Sequence, residues 1–175
     1  MMSKNFKCGL DIDDVLAEFM QTYLNRFGIP KNDSEITKNV HHKLKYDRDF
    51  WLNLPVIQLP NFTPTLFCTK RINNKSWTKE WLSNAGLGNI PVYQMYTQSG
   101  NKATMIKGRV DVFIDDSVSN MIKMNLSGVP CLLMDKEYNK DWGPIGRIYS
   151  LDKEEIYEAY QLLINTVFKN FKQLL

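Results

Sequence analysis

At 175 residues and 20.4 kDa the chain has the length of one domain with room for a small insertion. Its 43% hydrophobic and 23% charged residues supply a core without disulfides, which excludes a disordered or disulfide-framed chain. The net charge of +3 does not by itself mark a nucleic-acid-binding protein, and no apolar run reaches membrane-spanning length. Cys8, Cys68 and Cys131 are odd in number, widely spaced and set in apolar runs, so they read as buried free thiols rather than a disulfide framework or a zinc site. The start "MMSKNFKCGL" is too short and too polar for a signal peptide. The expectation is a cytoplasmic protein without membrane contact.

Taken in chain order, "FKCGLD" is a short apolar run ending at Asp11, and "VLAEFMQTYLNRFG" follows with helical spacing, closing at Gly28 before Pro30. The segment 29–61 breaks the rhythm. It is polar, then aromatic, then proline-rich, and reads as a small helical cap insertion over the sheet edge. The rest, 1–28 and 62–175, reads as the core. "TLFCT" gives a second strand ending at Thr69, and "SWTKEWLSNAG" a helix opened by Ser76. "PVYQMYT", "VDVFID" and "PCLLMD" give three more strands, separated by the helical patterns "NKATMIKG" and "SVSNMIKMNLSG". A last helix runs from Asp152 to Leu175 with an apolar stripe through Ile156, Tyr160, Leu163, Val167 and Phe171. That stripe suits packing on the core or a homodimer contact. The strands are nearly continuous in apolar residues, as strands covered on both faces are. Alternating strands and helices predict an α/β fold, a Rossmann-like parallel sheet with helices on both faces.

Ligands of such sheets bind beyond the carboxyl ends of the strands. Asp11 and Asp13 follow the first strand, Thr69 the second, and Asp115 and Asp116 the fourth, so all converge on one crevice. Three carboxylates within four positions, Asp11, Asp13 and Asp14, repel one another unless a cation holds them. Hard oxygen ligands from separate strands suit Mg²⁺, which also partners phosphate oxygens. Lys102 and the Thr69 hydroxyl can hold a phosphoryl group, and the helix after "DIDD" favours an anion at its N-terminus. One carboxylate then serves as nucleophile on phosphorus, and a second, two residues on, as general acid and base.

"LDIDDVLAEF", "LFCTKR" and "NKATMIKGRVDVFIDD" together resemble the haloacid dehalogenase (HAD) superfamily of phosphatases, over roughly Phe6 to Leu151. The four motifs stand in that family's order. The resemblance implies Asp11 as the nucleophile that forms an aspartyl-phosphate. It implies Asp13 as general acid/base, its backbone carbonyl also ligating Mg²⁺. Thr69 and Lys102 would hold the phosphoryl group, with Lys107 the alternative lysine. Asp115 and Asp116 would complete the metal shell, Asp116 as the preferred direct ligand. Within the superfamily the chain is similar to the 5′(3′)-deoxyribonucleotidases and their bacterial and phage relatives. "DFWLNLPVI" resembles their cap exit, and "MDKEYNKDWGPIGRIYSL" their late loop and last strand. That likeness implies a nucleoside monophosphate as substrate, with Phe19, Phe50 and Trp51 as candidates to enclose the base by stacking.

Other readings stay open beside these. Phe19, Phe50 and Trp51 equally suit core or cap packing. Lys70 and Arg71 are either substrate contacts or solvated side chains. Asp14 stands where the family has Gly, and reads as a helix-start residue that favours an N-terminus. The prolines at 55, 60 and 64 leave no room for the helix that the family carries before its second strand. A reduced cap would admit a larger substrate, so the alternative is a nucleic-acid 3′-phosphatase. A non-catalytic phosphate- or partner-binding module is the third reading.

Overall fold

A computed structural model describes residues 6–97 and 99–168. Among them, six strands make one parallel sheet: β1 (Cys8–Leu10), β2 (Leu66–Thr69), β3 (Val92–Gln94), β4 (Val112–Asp115), β5 (Cys131–Met134) and β6 (Arg147–Ile148). Their order is β3-β2-β1-β4-β5-β6. The order reverses at β1, whose two neighbours are β2 and β4, so this is a doubly wound, Rossmann-like α/β sheet.

Neighbouring residues of each strand feed opposite faces, and both faces are covered. Leu66, Cys68, Phe113, Cys131 and Leu133 join Ala103 and Ile106 of α5 (Ala103–Ile106) and Met121 and Met124 of α6 (Val118–Leu126). Phe67, Ile114, Leu132 and Met134 join a larger cluster on the other face. That cluster takes Tyr23 from α1 (Phe19–Phe27), Trp51 from α3 (Arg48–Leu52), Trp81 from α4 (Lys75–Asn84) and Ile156 from α7 (Lys153–Leu163). Gly9 belongs to the α5–α6 face. A Cβ there would lie 2.9 Å from Phe113 Cδ2 and 3.0 Å from Leu66 and Val110, so the Phe113 ring occupies the space a side chain would need. All three cysteines are free and buried.

The segment 29–61 holds α2 (Asp33–Asn39), a π-helical turn at Val40–Leu44 and α3. Residues 53–65 contain no helix. The sixth strand, too short to show an apolar run of its own, falls inside "MDKEYNKDWGPIGRIYSL", where the resemblance implied a last strand. Several expectations need correction. Asn74, not Ser76, caps α4, its side chain accepting from Ser76 N–H at 3.0 Å. The first helix begins at Phe19, not Val15, for a reason given below. Of the C-terminal stripe, Ile156 and Leu163 are buried and Tyr160 is half-buried; the Val167 side chain and Phe171 lie outside the described residues. Among the described residues no helix is long and apolar enough to cross a membrane.

Candidate active site

The register of the three central strands assembles the site. Leu10 pairs with both Phe67 and Ile114, so Asp11 leaves β1 beside the ends of β2 and β4, and its N–H still donates to Ile114 O at 2.9 Å. Asp11, Asp115 and Asp116 each bring a carboxylate oxygen within 4.8 Å of the others. Lys102, 1% exposed at the N-cap position of α5, donates to Asp11 Oδ2 and, at 2.7 Å, to Asp115 Oδ2. Lys107 is exposed on the surface, so the structure brings Lys102 to the acids and leaves Lys107 out. Asp115 is fully buried and its other oxygen accepts from Ser117 N–H at 2.9 Å and Asn120 Nδ2 at 3.0 Å. Asp116 accepts from the Tyr138 hydroxyl, and its backbone carbonyl accepts from Asn139 Nδ2 at 2.8 Å.

Three carboxylates against one ammonium leave two negative charges in a poorly solvated place. Burial is the largest influence on Asp11 and raises its pKa well above the carboxylate range, against the pull of Lys102 and with a push from Asp115. Asp116 is pushed up to about 8, by burial first and then by Asp115 and Asp14. Lys102 is raised despite its burial, because Asp11 and Asp115 both favour its charged form. The donor set fits a hard divalent cation: oxygen ligands only, close together, with an excess charge that one such ion removes.

Asp13 points away from that cluster into a different grip. Arg71 holds it with Nε at 3.0 Å from both carboxylate oxygens and Nη2 at 2.6 Å from Oδ1. The Arg71 side chain is fully buried; its guanidinium carbon lies 5.1 Å from the Trp51 ring centre and 5.7 Å from that of Trp81. Arg71 is thus not solvated and does not line the cavity over the site, and among the described residues its Nη1 has no hydrogen-bond partner. Thr69, buried at the end of β2, has its Oγ1 at 3.5 Å from Asp13 Oδ2.

Between Asp13 and Phe19 the chain makes a tight buried turn. Asp14 adopts φ 57°, the left-handed region where the resembled family has Gly and which Asp tolerates better than most residues. Its N–H donates to Ala17 O at 2.7 Å, and its Oδ1 accepts from Met20 N–H at 2.9 Å. Asp14 therefore caps α1 from six residues upstream, and the expected anion-binding helix end after "DIDD" is already filled by a carboxylate. Val15, Leu16 and Ala17 are fully buried inside the turn, which is why their apolar spacing imitates a helix. Burial is also the main cause that pushes the Asp14 carboxyl up to about 7. The turn is tied to the chain leaving 29–61: Glu18 N–H donates to Pro55 O at 2.8 Å and Ile57 N–H to Leu16 O at 2.7 Å.

A cavity of about 310 Å³ opens over these groups. Phe19, Met20, Ile36, Val40 and Trp51 line one side. The segment 29–61 thus lies over the strand ends at the site, not only at the sheet edge. Trp51 is 1% exposed, stacked on Phe19 at 5.7 Å, with its Nε1 donating to Leu44 O at 2.7 Å. Phe50 packs edge-on against Phe19 and Trp51 and does not line the cavity. Of the three candidate base-stacking aromatics, Phe19 alone is half-exposed. Lys70, Ser117, Ser119, Asn120 and Lys123 also line it. Sequence reasoning missed Asn120 and Tyr138. Ser117, directly after the acidic pair, was readable as the cap of α6, which places Asn120 in the first turn; nothing in the sequence marks Tyr138.

No protein-family model matches the sequence, and no curated protein does. Among solved structures the chain is similar to a haloacid dehalogenase-like family hydrolase from Streptococcus pneumoniae, with a TM-score of 0.49 and 10% identity over 88% of this chain and 90% of that one.

Proposed function

We propose that the protein is a Mg²⁺-dependent phosphomonoester hydrolase of the HAD superfamily, acting through an aspartyl-phosphate, with a nucleoside monophosphate as substrate in the manner of the 5′(3′)-deoxyribonucleotidases. One observation carries the reading: two carboxylates two residues apart are held by two different cations, Asp11 by Lys102 and Asp13 by Arg71. That separation suits a nucleophile and an acid/base with separate tasks.

In this reading Asp11 attacks phosphorus, and the bond from phosphorus to the ester oxygen breaks. Asp13 gives its proton to the departing oxygen. Asp13 then takes a proton from a water molecule, whose oxygen attacks phosphorus and releases phosphate and free Asp11. Lys102 and Thr69 hold the phosphoryl oxygens. Asp11, Asp116 and the Asp13 carbonyl would hold Mg²⁺. Asp115 has both oxygens engaged by Lys102, Ser117 and Asn120, so it orients Lys102 and supports the shell from behind. When bound, the ion neutralises the carboxylates and draws charge from the phosphoryl oxygens.

The test is phosphate release from a panel of 5′- and 3′-(deoxy)nucleotides and a 3′-phosphorylated oligonucleotide, with Mg²⁺ and with chelator. Metal-dependent release that Asp11→Asn abolishes is the expected result. Activity surviving Asp11→Asn would overturn the nucleophile assignment, and no release from any ester would overturn the hydrolase reading.

A further inference from the structure

The cavity is also lined by residues that the chemistry above scarcely uses. Lys70 leaves the end of β2, and its Nζ donates to Asn120 Oδ1 at 2.6 Å. Asn120 and Lys123 stand three residues apart on α6, hence on one face of that helix, and both line the cavity with Ser117 and Ser119. Lys102 is committed to Asp11 and Asp115. Lys123 is exposed and, among the described residues, forms no ion pair. Burial lowers the Lys70 pKa most, and Lys102 and Lys123 lower it further as like charges, a repulsion that an anion between Lys70 and Lys123 would relieve. Helix electrostatics favours a cation in the last turn of α6 and accounts for Lys123. It does not account for Lys70 lining the same cavity. The Asn120 amide is engaged by Asp115 and Lys70 and so holds Lys70 in place, and the two cations that line one cavity make a receptor for an anion.

We propose that Lys70, held in place by Asn120, and Lys123 form a second anion subsite, so that the preferred substrate carries a second phosphate group beside the phosphomonoester that Asp11 attacks. This inference rests on the phosphohydrolase reading of the Asp11 site. A cavity of about 310 Å³ is at the small end for ligand pockets and suits one nucleotide-sized group. The shared chemistry is a phosphomonoester with a neighbouring phosphate. A nucleoside 3′,5′-bisphosphate supplies it as a second monoester. The 3′-phosphorylated end of an oligonucleotide supplies it as the adjacent diester, with the rest of the strand leaving past exposed Lys123.

The experiment is binding without turnover. Asp11→Asn protein in Mg²⁺ is titrated calorimetrically with a nucleoside 5′-monophosphate, a nucleoside 3′,5′-bisphosphate and a 3′-phosphorylated dinucleotide. At least one two-phosphate ligand should bind about tenfold or more tighter than the monophosphate. Adding Lys123→Gln should shrink that advantage to about twofold, and Lys123→Arg should keep most of it. Whichever two-phosphate ligand binds tighter names the source. Equal affinity for one- and two-phosphate ligands, or an advantage that survives Lys123→Gln, overturns the subsite. Lys123 is exposed, so the variant is not expected to perturb folding, which a thermal melt checks. Hydrolysis by the unmodified protein is measured in parallel; its absence would count against the phosphohydrolase reading, whereas the subsite is read from the titrations alone.

Discussion

Replacing Arg71 by methionine removes the guanidinium that grips Asp13 and keeps most of the side-chain volume between Trp51 and Trp81. Breaking a fully buried ion pair by deleting one partner costs about 3–5 kcal/mol. Here the remaining carboxylate is 22% exposed and water can reach it, so the cost falls to about 2–3 kcal/mol, a drop in melting temperature of roughly 5–10 °C for a chain of this size. The effect on rate should depend on the leaving group. A freed Asp13 samples positions away from the ester oxygen, and a misplacement of about 1 Å costs on the order of 100-fold. In the proposed mechanism an alkyl phosphate such as a nucleotide needs the proton from Asp13. An aryl phosphate such as p-nitrophenyl phosphate leaves without it. The expected outcome is a roughly 100-fold loss of kcat on the nucleotide and less than about tenfold on the aryl ester, with Arg71→Lys between wild type and Arg71→Met. Steady-state kinetics on both esters, below the variants' melting temperatures, decides it. Equal losses on the two esters would mean that Arg71 serves folding alone, and unchanged rates would mean that Asp13 needs no positioning.

Three further outcomes follow from the site and the core. Asp14 and Asp116 have folded pKa values of about 7 and about 8 against 3.8 without the fold, so in chelator the protein should lose stability as pH rises from about 4 to 8; Asp14→Asn should recover on the order of 3–4 kcal/mol at pH 8, read by urea unfolding, and a flat pH profile would refute the burial argument. Mg²⁺ at 100 times its Kd should stabilise the protein by about 2.7 kcal/mol at pH 8, and Asp116→Asn should abolish that shift in a thermal melt; a shift that persists would remove Asp116 from the metal shell. Gly9→Ala should cost about 1–3 kcal/mol through crowding of Phe113, Leu66 and Val110, and denaturant melts that show no loss would mean that those side chains relax freely.

The apolar strands and the residues at their carboxyl ends were legible because both carry a local signal. A strand buried on two faces is apolar throughout, and Asp11, Thr69 and Asp115 each sit at such a run's end. The turn at 12–18 was illegible because Val15, Leu16 and Ala17 are buried by the surrounding fold, and burial produces the same apolar spacing as a helix face. Only the φ of Asp14 separates the two, and no residue type announces it. β6 was legible only through the resemblance over "MDKEYNKDWGPIGRIYSL", because apolar patterning misses so short a strand and Arg147, whose Nη1 and Nη2 are occupied by Asp135, Asn139 and Trp142, interrupts it. Arg71 defeated local reading in the same way. Next to Lys70 it looks like half of a solvated basic pair, yet one side chain turns out to the cavity and the other is sealed between two tryptophans contributed by distant helices.

The ties between the 12–18 turn and the chain at 55–57 give the molecule a fixed socket. Past Ile57, Gln58 Oε1 accepts from Leu151 N–H at 3.1 Å and Asn61 Oδ1 from Lys153 N–H at 2.9 Å, so residues 55–61 are clipped to the 12–18 turn at one end and to the start of α7 at the other. The stretch from Gly28 to Leu54 plugs into that socket. Its Trp51 lies over the Arg71 that grips Asp13, whereas its Ile36 and Val40 face the cavity. Varying Ile36 and Val40 while Trp51 is kept is therefore the way to change what the cavity accepts with the grip on Asp13 left in place.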